Sequence, residues 1–198
     1  GRSIYLAHIS TGFVFDGSEN NKGPYDEFTV PVDSKLLTKY GRSKLIGETI
    51  VRESYPNSSI VRFDNPVTSG EGKDYLRTFL MMANNKTLQS VFENQFITLA
   101  DLDLVALTVQ ALIETRRTGN YHISSDVVTP FDIVEFLLQA AEIDYKIERG
   151  DIHAYLKSIN DPTRYPVNGG LKSDFTRKTL DIPYRTAREI TRRLHGKK

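Results

Sequence analysis

Two apolar, β-rich segments separated by a helical pattern place the strongest constraint on the fold of this chain. Residues 4–9 read IYLAHI, a run that is typical of a buried strand. Residues 34–53 follow a helical pattern, and residues 59–63 predict the next strand. Strand, helix and strand in this order indicate a right-handed crossover between parallel strands. We therefore expect an α/β protein built on a parallel sheet.

The remaining pattern is mixed and predicts a looser α+β arrangement. A long polar loop is expected at residues 16–33 and a shorter one at 65–73, since both contain Gly or Pro among polar residues. Helices are predicted over 74–84, 101–115, 130–141, 151–158 and 185–194, and short strands over 88–92, 96–99 and 119–124.

The composition excludes several classes of protein. The 198 residues include 26 Lys and Arg against 25 Asp and Glu, so the net charge of +1 gives no general attraction to nucleic acid or to an anionic membrane. The absence of Cys excludes disulfides and a thiol nucleophile. No apolar run approaches the roughly 20 residues that span a bilayer, so we expect a cytoplasmic protein. The basic segment 185–198 lacks interleaved aromatic residues and favours a solvated helix face over a nucleic-acid site.

The pentapeptide Tyr40-Gly41-Arg42-Ser43-Lys44 is the most informative motif. Residues four apart share a helix face, so the phenol and the ammonium are expected to point into one cleft. A phenol has an ordinary pKa near 10, and a nearby cation lowers that pKa and makes proton exchange with a carbonyl or alcohol oxygen feasible. The structural alternative is a boundary Tyr beside a solvated Lys.

Two hydroxyls strengthen the catalytic interpretation. Ser10 and Thr11 follow the first strand, where open α/β sheets form their ligand crevice. A hydroxyl there can hydrogen-bond the same substrate oxygen that the phenol protonates. The alternative is a turn in which these hydroxyls only close the strand.

These motifs together resemble the extended short-chain dehydrogenase/reductase superfamily, and within it the dTDP-4-dehydrorhamnose reductase group. Residues 9–17 (ISTGFVFDG) are similar to that family's STDYVFDG stretch, residues 23–27 (GPYDE) to its P-Y-x-E loop, and residues 40–48 (YGRSKLIGE) to YGxSKxxGE. Weaker similarities follow in the family's order at residues 60–66, 119–124 and 171–174. The resemblance implies a Rossmann-type doubly wound parallel sheet, of which this chain holds a part, with a smaller α/β substrate-binding region.

The resemblance also implies a function and a set of site residues. It implies NADPH- or NADH-dependent hydride transfer to a keto group of a nucleotide sugar. Tyr40 would be the general acid, and Lys44 would tune it and hold the nicotinamide ribose. Thr11, with Ser10, would orient the sugar carbonyl. Phe63 would lie near the nicotinamide, and Asn65 would lie near the sugar, with Gln95 and Asp101 as further candidates; a helix-cap role for Asp101 is equally good.

The chain also departs from the family pattern. Gly12 stands where the reductases usually carry Asp, and no strand–GxxGxxG–helix unit occurs. Gly70-Glu71-Gly72 is interpreted as a loop. We therefore expect residues 1–64 to be the C-terminal part of a dinucleotide-binding domain and residues 65–198 to be the substrate-binding region with a terminal helix. The N-terminal half of that domain is not among these residues, so we expect a fragment of a longer chain, a truncated gene product or a partner chain that supplies this half; a homo-oligomer is the alternative partner.

Two other functions remain open on these residues. A non-catalytic binding or regulatory subunit would keep the fold, as the regulatory subunit of methionine adenosyltransferase does within this superfamily. A nucleotide-sugar epimerase or dehydratase would use the same motifs. No metal is expected, because His8, His122, His153 and His195 show no ligand spacing.

Overall fold

A computed structural model describes residues 4–70 and 72–194. The strands are β1 (Leu6–Ser10), β2 (Ser58–Phe63), β3 (Pro66–Val67), β4 (Ser90–Phe92), β5 (Ala100–Asp101), β6 (Gly119–Ile123) and β7 (Glu148–Gly150). The helices are α1 (Lys39–Ser54), α2 (Tyr75–Asn84), α3 (Leu102–Thr115), α4 (Pro130–Ala140), α5 (Ile152–Ser158), α6 (Asp174–Leu180) and α7 (Ala187–Arg192), with a 3-10 turn at Gly12–Val14.

The main sheet has three parallel strands in the order β1-β2-β6. Leu6 lies opposite Ser58, and Ser59 lies opposite Gly119. The pairs β3–β5 and β4–β7 are also parallel. The prediction of an α/β fold with a parallel sheet is thus confirmed. β6 belongs to the same sheet as β1 and β2, so this sheet crosses the predicted boundary after residue 64, and the division into two regions stays a prediction.

Helices cover both faces of the main sheet. Successive strand residues point to opposite faces. On β2, Val61 packs into an apolar cluster with Leu104 and Val105 of α3, whereas Arg62 turns to the other face and pairs with Glu48 of α1. This is the doubly wound arrangement that the crossover predicts.

A fully buried ion pair joins α1 to the sheet. The Arg62 guanidinium donates to both Glu48 carboxylate oxygens, at 2.8 and 2.6 Å. Arg62 Nη1 also lies 3.3 Å from Nε2 of His122 on β6, and His122 Nδ1 lies 3.1 Å from the Lys172 carbonyl oxygen. Because a buried charge is stable only when it is paired and hydrogen-bonded, this network fixes how α1 lies on the sheet.

Helix α1 begins later than predicted. The Leu37 amide donates to the Ser34 carbonyl in a turn, and Thr38 then caps the helix by accepting a 2.8 Å hydrogen bond from the Gly41 amide. A hydroxyl at the N-cap satisfies an amide that otherwise lacks a partner. The helix therefore starts at Lys39 rather than Ser34, and Tyr40 lies in its first turn.

The largest apolar core belongs to the second half of the chain. It joins α2, α4, β4 and α7 through residues such as Leu76, Leu99, Val134, Leu137 and Ile190. The predicted strand over 96–99 is wrong, because this segment makes only isolated bridges at Phe96 and Ile97. Helix α6 and strand β7 are unpredicted. Of the basic segment, residues 195–198 lie outside the described residues, as does Glu71. No helix of the described ranges is long and apolar enough to cross a membrane.

Candidate active site

The candidate site lies where β1 and β2 end side by side. Ser10 lies opposite Arg62 in the parallel register, which brings Thr11 and Gly12 next to Asp64 just beyond the strands. The Thr11 hydroxyl donates to Asp64 Oδ1 at 2.6 Å, and the Gly12 amide donates to the same oxygen at 2.8 Å. The carboxyl edge of the sheet therefore presents a hydroxyl and a carboxyl group, as open α/β sheets do at their ligand crevice.

Tyr40 completes the cluster from α1. Its ring meets that of Phe13, two residues after Thr11, edge-on, with centroids 5.9 Å apart. The side chain is 54% exposed, so one side of the ring stays open to a ligand. Tyr40 therefore lies beside the 3-10 turn that follows Thr11, and a joint catalytic role for the two residues stays a prediction.

The pKa of Tyr40 is raised above its usual value. The main cause is burial of the inner part of the ring, the second is the negative charge of Asp64, and the hydrogen bond with Thr11 opposes both. The sequence predicts the opposite direction, on the assumption that Lys44 stabilises the phenolate. Lys44 Nζ instead donates to the Ile9 carbonyl oxygen at 2.8 Å. The expected lowering of the Tyr40 pKa is therefore wrong.

Ser10 is bound into the buried network behind the site. Its hydroxyl donates to Glu48 Oε1 at 2.6 Å, and its side chain is almost fully buried. Its single proton is therefore committed to Glu48, which leaves Thr11 as the hydroxyl that faces Tyr40. A catalytic role for Ser10 remains only a prediction.

A cavity of about 390 Å³ opens beside the cluster. Its walls combine many aromatic and apolar side chains with a few polar groups, a composition that suits a small-molecule ligand. The lining residues include Gly12, Phe13, Asp64, Asn65, Gln95 and Tyr165. Phe13 also lines a second cavity of about 280 Å³, which contains Tyr40. Phe13 therefore lines both the larger cavity and the smaller cavity that Tyr40 also lines.

The other candidates divide between the cavity and the core. Asn65 and Gln95 line the cavity. Asn65 adopts a positive φ of 42°, a conformation that Asn tolerates well, and its amide donates to the Thr98 carbonyl oxygen at 3.0 Å. Phe63 packs against the apolar cluster below α3, and its contact with a cofactor stays a prediction. Asp101 caps α3 and pairs with Arg185, as the helix-cap alternative proposes.

Asp64 is the site residue that sequence reasoning missed. It is 9% exposed and lines the cavity. Burial raises the pKa of Asp64, and the hydrogen bonds from Thr11, Gly12 and Phe13 act in the opposite direction without cancelling this rise. The available signal was an acidic residue directly after the second buried strand, at the same sheet edge as Thr11. Within residues 4–70 and 72–194, no group of three or more His, Asp or Glu side chains could hold a metal ion.

The fold and this site define a class: an α/β protein with a Rossmann-type parallel sheet, of the kind found in reductases and epimerases. A model of the RmlD substrate binding domain family matches residues 1–196, and the chain belongs to this family. The predicted membership of the dTDP-4-dehydrorhamnose reductase group is thereby confirmed.

Individual relatives agree with this assignment. The chain is 30% identical to the dTDP-4-dehydrorhamnose reductase of Salmonella typhimurium, over 90% of the chain and 60% of the relative. It is 29% identical to a probable low-salt glycan biosynthesis reductase of Haloferax volcanii, over 78% of the chain and 52% of the relative. The chain therefore spans about half to two thirds of the length of such relatives.

The fold matches a solved dTDP-4-dehydrorhamnose reductase. The enzyme from Bacillus anthracis, in complex with NADP, superimposes with a TM-score of 0.82 at 21% identity, over 96% of this chain and 65% of that one. A homologous reductase from Clostridium acetobutylicum gives a TM-score of 0.81 at 22% identity, over the same shares. At these identities the superpositions establish the fold.

Proposed function

We propose that this chain carries the catalytic and sugar-binding part of an NAD(P)H-dependent reductase that acts on a keto group of a nucleotide sugar. The observation that carries the proposal is that Phe13, in the turn at the carboxyl edge of the parallel sheet, contacts the Tyr40 ring and also lines a cavity of about 390 Å³. The names of the relatives, dTDP-4-dehydrorhamnose reductase among them, support the substrate class.

The cavity chemistry fits a nucleotide sugar. Asn65 and Gln95 can hydrogen-bond sugar hydroxyls, while aromatic walls such as Phe13 and Tyr165 can pack on the apolar faces of sugar and base rings. A few polar groups on a largely aromatic wall orient such a ligand without requiring many buried charges to lose water. Asn65 is assigned to the sugar.

The groups present also fit a nicotinamide cofactor. An ammonium group has three protons, and Lys44 uses one for the Ile9 carbonyl oxygen, so two remain for ribose hydroxyls. The Tyr40 ring is about half exposed, so the carboxyl edge of the sheet beside it stays open to a ligand. A solved relative binds NADP, and either NADPH or NADH would supply the hydride when bound. Phe63 is assigned by family resemblance to the nicotinamide side.

Tyr40 is assigned as the general acid. Its O–H bond breaks as a new O–H bond forms on the sugar oxygen, and the carbonyl carbon accepts the hydride. Thr11 is assigned by family resemblance to the sugar carbonyl. Because its proton goes to Asp64 in this structure, the Thr11 hydroxyl would have to turn away from Asp64 to donate to that carbonyl.

The function is tested with the intact protein, dTDP-4-dehydrorhamnose and NADPH, by following NADPH oxidation. Tyr40→Phe removes the acidic proton and keeps the ring, so we expect the rate to fall by about 10²–10⁴-fold, the range for general acid catalysis. Tyr55→Phe is the matched control, because Tyr55 lies at the opposite end of α1. Full activity in Tyr40→Phe would exclude this role.

A non-catalytic binding subunit is the second candidate. The feature that favours it is Gly12, which stands where the reductases usually carry Asp. A fluorescence titration with NADPH separates the two functions. A reductase binds NADPH, and absence of binding to the intact protein contradicts the reductase proposal. Conversion of a nucleotide sugar without net NADPH oxidation would instead indicate an epimerase.

A further inference from the structure

Two cavities adjoin at the carboxyl edge of the sheet, and they share two aromatic side chains. The larger cavity has a volume of about 390 Å³ and the smaller one a volume of about 280 Å³. Phe13 and Tyr165 line both cavities, and we call this pair the Phe13–Tyr165 wall. The Tyr40 ring lines the smaller cavity and meets Phe13 edge-on, so the general-acid candidate approaches this wall from the smaller cavity.

The larger cavity contains no cation. Among the described residues that line it, none is Lys, Arg or His, and its only carboxyl group is that of Asp64. Asp64 is held in place, because its Oδ1 accepts hydrogen bonds from the Thr11 hydroxyl at 2.6 Å and the Gly12 amide at 2.8 Å. Phosphate groups bind most strongly where charged donors balance their charge. The larger cavity therefore suits an uncharged group and disfavours a phosphate.

Two amide side chains allow the larger cavity to bind hydroxyl groups. Asn65 Nδ2 donates to the Thr98 carbonyl oxygen at 3.0 Å, and Gln95 Nε2 donates to the Pro166 carbonyl oxygen at 3.0 Å. Since a carbonyl oxygen can only accept, these contacts fix which end of each amide points at the backbone. Each amide can then offer its oxygen and its second N–H to a ligand. A sugar hydroxyl, which both donates and accepts, matches these groups.

The smaller cavity has cations on its walls. Lys39 and Arg164 line it, together with one carboxyl group, that of Asp161. Asp161 Oδ1 accepts from the Thr163 amide at 3.1 Å and the Thr163 hydroxyl at 2.9 Å, so this carboxylate is engaged within its own loop. In the part of the chain that the structure describes, no ion pair involves Lys39 or Arg164. Both cations are therefore available to an anionic group of a ligand.

We propose that a nucleotide sugar binds across the two cavities, with its sugar ring in the larger one and its diphosphate in the smaller one, where Lys39 and Arg164 bind it. This inference rests on the proposed function and adds the orientation of the substrate and the residues that bind its charged part. The sugar carbonyl group then lies at the Phe13–Tyr165 wall, which Tyr40 approaches from the other side. In the reverse orientation the diphosphate would lie beside a carboxyl group, with no cation to balance its charge.

The double variant Lys39→Gln/Arg164→Gln tests the diphosphate site. Both side chains are exposed, so their replacement should not disturb the fold. Calorimetric titration of the intact protein with dTDP measures diphosphate binding without the sugar. We expect the affinity for dTDP to fall at least about 10-fold, the usual loss when a charge-assisted hydrogen bond is removed. Lys86→Gln/Lys178→Gln removes the same charge outside both cavities and should leave the affinity unchanged.

Asn65→Gly tests the sugar site. Gly accepts the positive φ of 42° at this position and removes the amide. We expect the affinity for dTDP-rhamnose to fall about 2- to 12-fold, as for the loss of one hydrogen bond. The affinity for dTDP, which lacks the rhamnose, should stay the same, and circular dichroism checks that the variant is folded.

Two results would overturn the proposal. One is an unchanged dTDP affinity in Lys39→Gln/Arg164→Gln, because the diphosphate would then bind elsewhere. The other is an equal loss of affinity for both ligands in folded Asn65→Gly, because the larger cavity would then hold the nucleoside diphosphate. Should Asn65→Gly fail to fold, the Lys39→Gln/Arg164→Gln variant still decides.

The same titrations separate this inference from the proposed function. A wild-type protein that binds neither dTDP nor dTDP-rhamnose contradicts both. The expected pattern of affinities in a protein that does not oxidise NADPH contradicts the function and retains the orientation of the ligand. Reductase activity together with an unchanged dTDP affinity in Lys39→Gln/Arg164→Gln contradicts the orientation alone.

Discussion

Gly41 lies where the first turn of α1 passes over the loop that carries Phe13. A Cβ atom at this position would lie 1.9 Å from the Phe13 carbonyl oxygen, a backbone atom that cannot move aside without shifting the 3-10 turn. The contact sets the distance between α1 and the turn, and therefore the distance between Tyr40 and Thr11. Position 41 must be glycine for the two site segments to approach this closely.

We expect Gly41→Ala to lower the free energy of unfolding by about 1–3 kcal/mol, the usual cost of overpacking. Gly47→Ala is the matched control on the same helix, because its Cβ would meet only His8 Nε2 at 3.6 Å, an ordinary contact. Since Ala favours a helix over Gly by about 1 kcal/mol, this control should be neutral or stabilising. Urea unfolding measures both variants, and equal losses would contradict the close-contact argument.

At the scale of elements, one ion pair attaches α1 to the sheet. Arg62 is fully buried on β2, and Glu48 is buried on the inner face of α1. Burial alone would raise the pKa of Glu48, but the hydrogen bonds and charge of Arg62 outweigh it and lower that pKa. Ser10 and the partly exposed Arg52 complete the carboxylate's hydrogen bonds.

We expect Arg62→Met to cost about 3–5 kcal/mol of stability, because it leaves the Glu48 carboxylate buried without its main partner. Adding Glu48→Gln to this variant removes the uncompensated charge, so the double variant should lose less than Arg62→Met alone. Denaturant unfolding curves give both values. If the double variant lost as much as the single one, lost packing rather than unpaired charge would explain the effect.

The elements that the sequence predicted share a clear physical signal. The strands at residues 4–9 and 59–63 and the helices from Asp74, Asp101 and Thr129 each combine an apolar period with a cap or a turn, and all are present with small shifts of their ends. Helix α6 has seven residues and lacks a side-chain cap bond. Contacts with distant residues, such as Glu27 accepting from Thr176, help to hold it.

The site residues also differ in how far the sequence alone predicts their positions. Tyr40 and Lys44 are four residues apart on one helix, so local spacing predicts that they share a face. Asp64 reaches Thr11 only because of the strand register that places Ser10 opposite Arg62. Register depends on the packing of the whole sheet, and a single sequence does not contain it in a readable form. The position of the Lys44 ammonium also depends on a contact between distant parts of the chain, the hydrogen bond to the Ile9 carbonyl oxygen of β1.

At the scale of the whole molecule, His122 connects the sheet to the C-terminal segment. Burial, with the nearby Arg62 charge, lowers its pKa to about 3. The unfolded chain takes up this proton near the ordinary value of 6.5, and the folded protein takes it up only near 3. Between these values the unfolded state binds more protons, so stability falls as the pH is lowered.

We therefore expect the free energy of unfolding to decrease from about pH 6.5 downward, by at most about 1.4 kcal/mol per pH unit from this residue. His122→Gln should flatten that dependence, whereas His153→Gln, at an exposed position on α5, should retain it. Urea unfolding at pH 7 and pH 5 measures both slopes. Identical slopes in the wild type and His122→Gln would show that another group controls the acid response.

The long loop after β1 is attached to a segment that lies far ahead in the chain. The Gly23 amide donates to the Asn168 carbonyl oxygen, the Tyr25 amide to that of Gly170, and the Lys172 amide to that of Tyr25. During synthesis, a ribosome releases Tyr40 and Lys44 long before these partners emerge. A nascent chain can hold the helical motif early, but the ligand cavity closes only after residue 172 has left the exit tunnel. The order of translation therefore makes ligand binding a late event in the folding of this protein.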